Sequence, residues 1–74
     1  MMLQELKDKE EAYVVGIEGG KSLREKMACM NIREGKHISK VMSQPLSGPV
    51  IVSVDNRQYA IGRGIASKII VEKK

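Results

Sequence analysis

Gly16 to Ser22 reads GIEGGKS, which brings glycine, lysine and a hydroxyl together in the manner of a phosphate-cradling loop. Such a loop wraps a nucleotide's phosphates with backbone N–H groups and needs the spacing G-x-x-x-x-G-K-[ST]. The first glycine would have to stand at Val15, so the stretch is one residue short. The chain also lacks length for the parallel sheet and the later metal-binding aspartate that accompany such loops. Gly19 and Gly20 are expected to be a structural turn.

Cys29 and His37 are the chain's single cysteine and single histidine. A protein-held zinc or iron normally takes three or four such ligands at short spacing. These two fall on different expected elements, so a site using both would have to be completed between molecules. Of the five methionines, Met27 and Met30 fit a core stripe, and Met1 and Met2 are terminal. The serines at 22, 39, 43, 47, 53 and 67 share one histidine and none sits in a recognisable nucleophile turn. The acidic residues are scattered among lysines. No catalytic residue, resident cofactor or protein-held metal is expected, and the chain does not read as an enzyme.

The elements that position these residues centre on Gln44 to Ile61. Val50, Val52 and Val54 alternate with Ile51 and Ser53, which predicts a strand with three valines on one face. Asp55-Asn56 supplies a two-residue turn, and Tyr59 and Ile61 continue the period of two, giving a hairpin. Pro45-Leu46-Ser47-Gly48-Pro49 leads in as a stiff, exposed loop. Ala12 to Ile17 is a first strand. Ser22-Leu23-Arg24-Glu25 reads as a capping box opening a helix, with an expected cost of ~1 kcal/mol for Ser22→Ala. Leu23, Met27 and Met30 form its core stripe, and Asn31 stops it in the left-handed conformation with Ile32 folding back.

Lys36 to Met42 is a second strand, irregular because Lys40 falls where an inward residue is due; a bulge or an edge position would explain it. Gly62-Arg63-Gly64 reads as loose, Ile65 to Lys68 as one short turn, and Ile69-Ile70-Val71 as a closing strand. Met1 to Glu11, with Leu3 and Leu6, reads as a poorly ordered polar lid. The fold class is mainly β with one short α-helix, about five strands closed into a small barrel.

At 74 residues the chain makes one domain, 1–74, with one small core. Its net charge of +4 comes from lysines interspersed with glutamates, a solvated surface before it is an electrostatic footprint. A lone cysteine points to a reducing compartment. No segment reads as a signal peptide or approaches the ~20 apolar residues of a membrane span, so a cytoplasmic location is expected. With Tyr13 and Tyr59 the only aromatic residues, the groove that docks proline-rich peptides and the stacking platforms for single-stranded nucleic acid are both missing.

The order of these segments resembles the FeoA family, the small cytosolic component of bacterial ferrous iron transport. The resemblance rests on Glu5-Leu6-Lys7 with Glu10, the pair Gly19-Gly20 before a short helix, the turn ending at Gly35, the loop from Pro45 to Pro49, and Ala66 to Glu72. Asn31 and Glu34 stand where the family often has glycine and proline. The resemblance implies an SH3-like barrel, a fold shared with a domain of metal-dependent iron regulators. It also implies a partner: FeoB, a membrane permease with a cytosolic GTP-binding part, beside which this protein would assist or regulate iron uptake, peripheral to the inner membrane. The family's common label of transition-metal binding has no support in the residues themselves.

Two surfaces are candidates for that docking: the helix face with Lys21, Arg24 and Lys26, and the proline-glycine loop with Leu46. The bland readings are a solvated helix face and a leucine capping the barrel end. Two other functions compete, a basic barrel that binds nucleic acid and a detached regulator-type domain acting with a metal-dependent repressor. Nucleic acid is not expected, because Lys and Arg are not clustered along the chain. Self-association through an edge strand stays open.

Overall fold

The computed structural model describes residues 1–44 and 48–74. Five strands and two short helices follow in the order β1 (Glu11–Ile17), α1 (Lys21–Cys29), β2 (His37–Ser43), β3 (Val50–Val54), β4 (Arg57–Ile61), α2 (Arg63–Ala66) and β5 (Ile69–Lys73), preceded by a 3-10 turn at Leu3–Glu5. All pairings are antiparallel and the strand order is β4-β3-β2-β1-β5. The mainly β, five-strand SH3-like expectation holds. The sheet is not closed: β4 and β5 lie at opposite ends of the order, so two edges remain.

The central hairpin follows its sequence pattern. Val50, Val52 and Val54 are buried, Ile61 is buried opposite them, and Tyr59 packs against the same cluster. Asp55 and Asn56 have φ of 52° and 64°. Positive φ at both central residues makes a type I′ turn, whose twist matches that of the flanking strands.

The first ten residues are where sequence and structure part. Leu3 and Leu6 are 0% and 1% exposed, among the most deeply buried side chains in the chain. Backbone pairing fixes this segment: Val71 donates to the Met1 carbonyl at 2.7 Å and Met2 bridges Ile70. Carboxylates secure its turns, since Met2 N–H donates to Glu5 at 2.7 Å and Lys7 N–H donates to Glu10 at 2.6 Å. The expected polar lid is instead one wall of the core. With only two leucines in a polar run, the segment shows no period long enough to announce burial.

Lys40 is 5% exposed, and both explanations offered for it can be judged. The pairing of β2 with β3 shifts between Lys40 and Met42, so a bulge at Val41 is present. The edge explanation fails, because β2 is the middle strand. The Lys40 side chain points inward opposite Val52, and its ammonium donates to the carbonyls of Leu6 and Gln4, the latter at 3.2 Å. Its main chain reinforces the same contact, with Lys9 N–H donating to the Lys40 carbonyl at 2.6 Å and Lys40 N–H to Glu10 O at 2.9 Å. A bulge in β1 between Val14 and Gly16 likewise turns Val15 outward to 42% exposure.

Helix α1 starts one residue before its expected cap. Gly20 is the N-cap residue and Ser22 lies inside the first turn without capping it. The reason is Gly19: its φ of 142° swings the chain into the helix early, and a Cβ there would lie 2.8 Å from Leu23 Cδ2. Ser22→Ala should therefore change stability by no more than about 0.5 kcal/mol in a denaturant titration, because no cap is lost and alanine is the better helix former.

The far end of α1 is as expected. Asn31 has φ of 62°, Ile32 N–H donates to Met27 O and Asn31 N–H to Ala28 O, each at 2.9 Å. That pair of bonds is a Schellman motif, and it delivers Ile32 into the core. Gly62-Arg63-Gly64 is not loose, since the short helix α2 begins at Arg63.

Candidate interaction surfaces

The three cations of α1 do not form one patch. Leu23, Met27 and Met30 hold the core side of the helix, Met27 fully buried and the other two partly. At 3.6 residues per turn, Arg24 and Lys26 project about 160° apart, on opposite flanks of the exposed face. Lys21 lies between them and sits 3.9 Å from Glu25, a solvated pair of little energetic weight. Arg24 donates to the Ile17 carbonyl at 3.3 Å, tying the helix back to the end of β1. Leu46 lies outside the described residues, as do Pro45 and Ser47. The end of that loop is anchored, with Arg63 Nε donating to Gly48 O at 3.0 Å.

A polar cluster that the sequence did not reveal joins three turns, one of them the C-terminal end of α1. Lys36 Nζ stands 2.8 Å from Asp55 Oδ1, Asn31 Nδ2 donates to the other Asp55 oxygen, and Arg33 donates to Asn31 Oδ1 at 2.7 Å. The Lys36 ammonium first, then the Asn31 amide, holds the Asp55 carboxyl below its ordinary range. Asn31 and Asp55 have positive φ for the sake of their turns, and the turns then bring their side chains together. That left-handed pair was the one available signal.

Beside this cluster an open depression of about 430 Å³ is lined by Tyr13, Lys36, His37, Ser39, Ser53 and Asp55. His37 Nε2 lies 2.7 Å from Glu11 Oε1, and the rings of Tyr13 and His37 meet edge to face at 5.6 Å. Hydrogen bonding to His37, with Lys74 nearby, keeps the Glu11 carboxyl below its ordinary range. Each of these charged groups already has a partner on a neighbouring strand or turn, so the cluster braces the sheet. Cys29 is exposed at the end of α1, on the separate element expected for it. Among the described residues, no three His, Cys, Asp or Glu side chains gather as a metal site would require. No helix among them is long and apolar enough to cross a membrane.

The GIEGGKS stretch runs from β1 through the Gly19 turn into α1, the strand-turn-helix order of a phosphate loop. Lys21 projects into solvent within the first turn of the helix, and its partner is Glu25.

Comparison with known proteins agrees with this architecture. A crystal structure described as an iron uptake regulatory protein, FeoA, superposes with a TM-score of 0.93 at 35% identity, covering 100% of this chain and 97% of that one. The apo manganese-activated repressor ScaR superposes with a TM-score of 0.90 over 100% of this chain and 35% of its own. At 23% identity that likeness shows the fold alone. A protein of Methanocaldococcus jannaschii named "Putative Fe(2+) transport protein A" is 38% identical over 66 residues, 89% of this chain and 78% of that one. The FeoA domain model matches residues 1–73, so the chain belongs to the FeoA family.

Proposed function

We propose that this chain is a cytoplasmic accessory protein of ferrous iron uptake that acts by docking on the GTP-binding part of a FeoB-type permease and tuning transport. The observation that carries this reading is the FeoA match over residues 1–73, together with a relative named for Fe(2+) transport. The shape of the molecule supports a binding role. Lys21, Arg24 and Lys26 are exposed on α1, where another macromolecule can reach them. ScaR shares the fold at an identity too low to transfer its role, so it gives the regulator reading no weight of its own.

Docking is tested by passing the purified GTP-binding part of the permease over the immobilised chain. Saturable binding is expected, and its absence at high micromolar concentration overturns the reading. If α1 steers the encounter, Arg24→Glu, which reverses an exposed charge, should slow association several-fold at low salt and hardly at all at high salt. Equal rates at both salt concentrations would remove α1 from the docking surface and leave the permease reading intact.

A further inference from the structure

The two edges of the sheet are treated differently. The outer edge of β5 is taken up by the chain's own start, through the paired Met1–Val71 bonds and the Met2–Ile70 bridge. At the other edge, β4 pairs only with β3, from Val54↔Arg57 to Val50↔Ile61. In a hairpin closed by a two-residue turn, the residues flanking the turn exchange both hydrogen bonds, and bonded pairs then alternate along the ladder. Arg57, Tyr59 and Ile61 therefore bond inward to β3, while Gln58 and Ala60 aim N–H and C=O away from the sheet. Both are exposed, and among the described residues no backbone group outside β3 bonds to either. Natural edges are usually blunted by lysine, proline or a bulge. The run from Gln58 to Ile61 has none of these, and its register with β3 is regular.

Charge decides what fits there. Between Asp55 and Glu72 the chain carries Arg57, Arg63 and Lys68 and no carboxylate. Asp55, at the neighbouring turn, is already engaged by Lys36 at 2.8 Å. A second copy pairing antiparallel about Tyr59 would lay Gln58 against Ala60 and Arg57 against Ile61, offering Arg57 no carboxylate, and the residue it sets opposite Arg63 is Asp55, which Lys36 already holds. We infer that the β4 edge is a docking site for an extended acidic segment of another protein, which adds as a sixth strand through Gln58 and Ala60 while its carboxylates meet Arg57 and Arg63. The main-chain bonds hold the segment and the charges select it. This deepens the permease reading by naming a surface, and it can be tested apart from it.

The test uses two blocked heptapeptides, one alternating valine with glutamate and one alternating valine with lysine, followed by amide hydrogen exchange of the full chain. The glutamate peptide should protect the Gln58 and Ala60 amides and bind at least tenfold more tightly than the lysine peptide. Ala60→Pro removes only the outward donor, a substitution that an edge strand accommodates, and should abolish the protection; Ala60→Val should keep it. Should Ala60→Pro not fold, Arg57→Glu decides, since it should narrow or reverse the preference between the peptides. No protection by the glutamate peptide overturns the proposal, as does equal protection by both. Protection of these amides on concentration alone, without peptide, would make the occupant a second copy and also overturns it. If the permease part binds Ala60→Pro as well as the parent chain, the edge is wrong and the permease reading stands. If the glutamate peptide binds and the permease part does not, the edge stands and the permease reading falls.

Discussion

Leu6→Ala should lower folding stability by about 3 kcal/mol, within the range for emptying a fully buried leucine site. The leucine is 1% exposed and shares the core cluster with Leu3, Ile69 and Val71. The backbone around it is pinned by neighbouring bonds, including Leu6 N–H to Leu3 O at 3.2 Å, so collapse into the vacated space is restricted. A domain of 74 residues has a total stability of roughly 4–11 kcal/mol, so this one change removes a large share of it. At 4–8 °C per kcal/mol for domains of this size, the melting midpoint should fall by roughly 12–24 °C, readable by circular dichroism. A drop of only a few degrees would mean that residues 1–6 are a dispensable strap, as the sequence alone led one to expect.

The contrast between the hairpin and this segment shows what local pattern can reveal. Val50 to Ile61 was legible because a period of two, a two-residue turn and a buried face are all properties of neighbours in the chain. The stop of α1 was legible for the same reason: Asn31 and Ile32 close a motif whose bonds span a few residues. Its start was misread because Ser22 satisfied the capping pattern, yet the positive φ of Gly19 had already turned the chain. Burial of Leu3 and Leu6 depends on β5, more than 60 residues away, and no local rule carries that information. The open sheet was likewise beyond reach, since strand propensity says nothing of whether the first and last neighbours meet. Of the candidate site residues, Arg24 and Lys26 fall within the expected helix, and Lys21, which a cap at Ser22 would leave just outside it, is its first residue. Their spread around it followed from their spacing and was available in advance. The Asn31–Asp55–Lys36 cluster joins three separate turns, and only the assembled sheet brings it together.

Lys40→Met should destabilise the fold by about 2 kcal/mol, although two effects of opposite sign compete. Methionine matches the length of the lysine stem and relieves the desolvation of a buried ammonium. Replacing buried charges by apolar groups is for that reason often neutral or stabilising when every partner is replaced as well. Here the partners are the main-chain carbonyls of Leu6 and Gln4, which no side-chain substitution removes. A buried acceptor left without a donor costs roughly 1–3 kcal/mol, and the lost bonds were charge-assisted, so the loss outweighs the relief. Chemical denaturation of the single variant gives the sign directly. A rise in stability would mean that the buried ammonium costs more than its two bonds return. The double variant tests whether Lys40 works through the same segment as Leu6. If the ammonium's role is to hold residues 4–6 against the core, Leu6→Ala and Lys40→Met together should cost clearly less than the sum of the two alone, because the first change already loosens what the second would release. Strict additivity would place the effect of Lys40 within β2 itself, at the bulge between Lys40 and Met42.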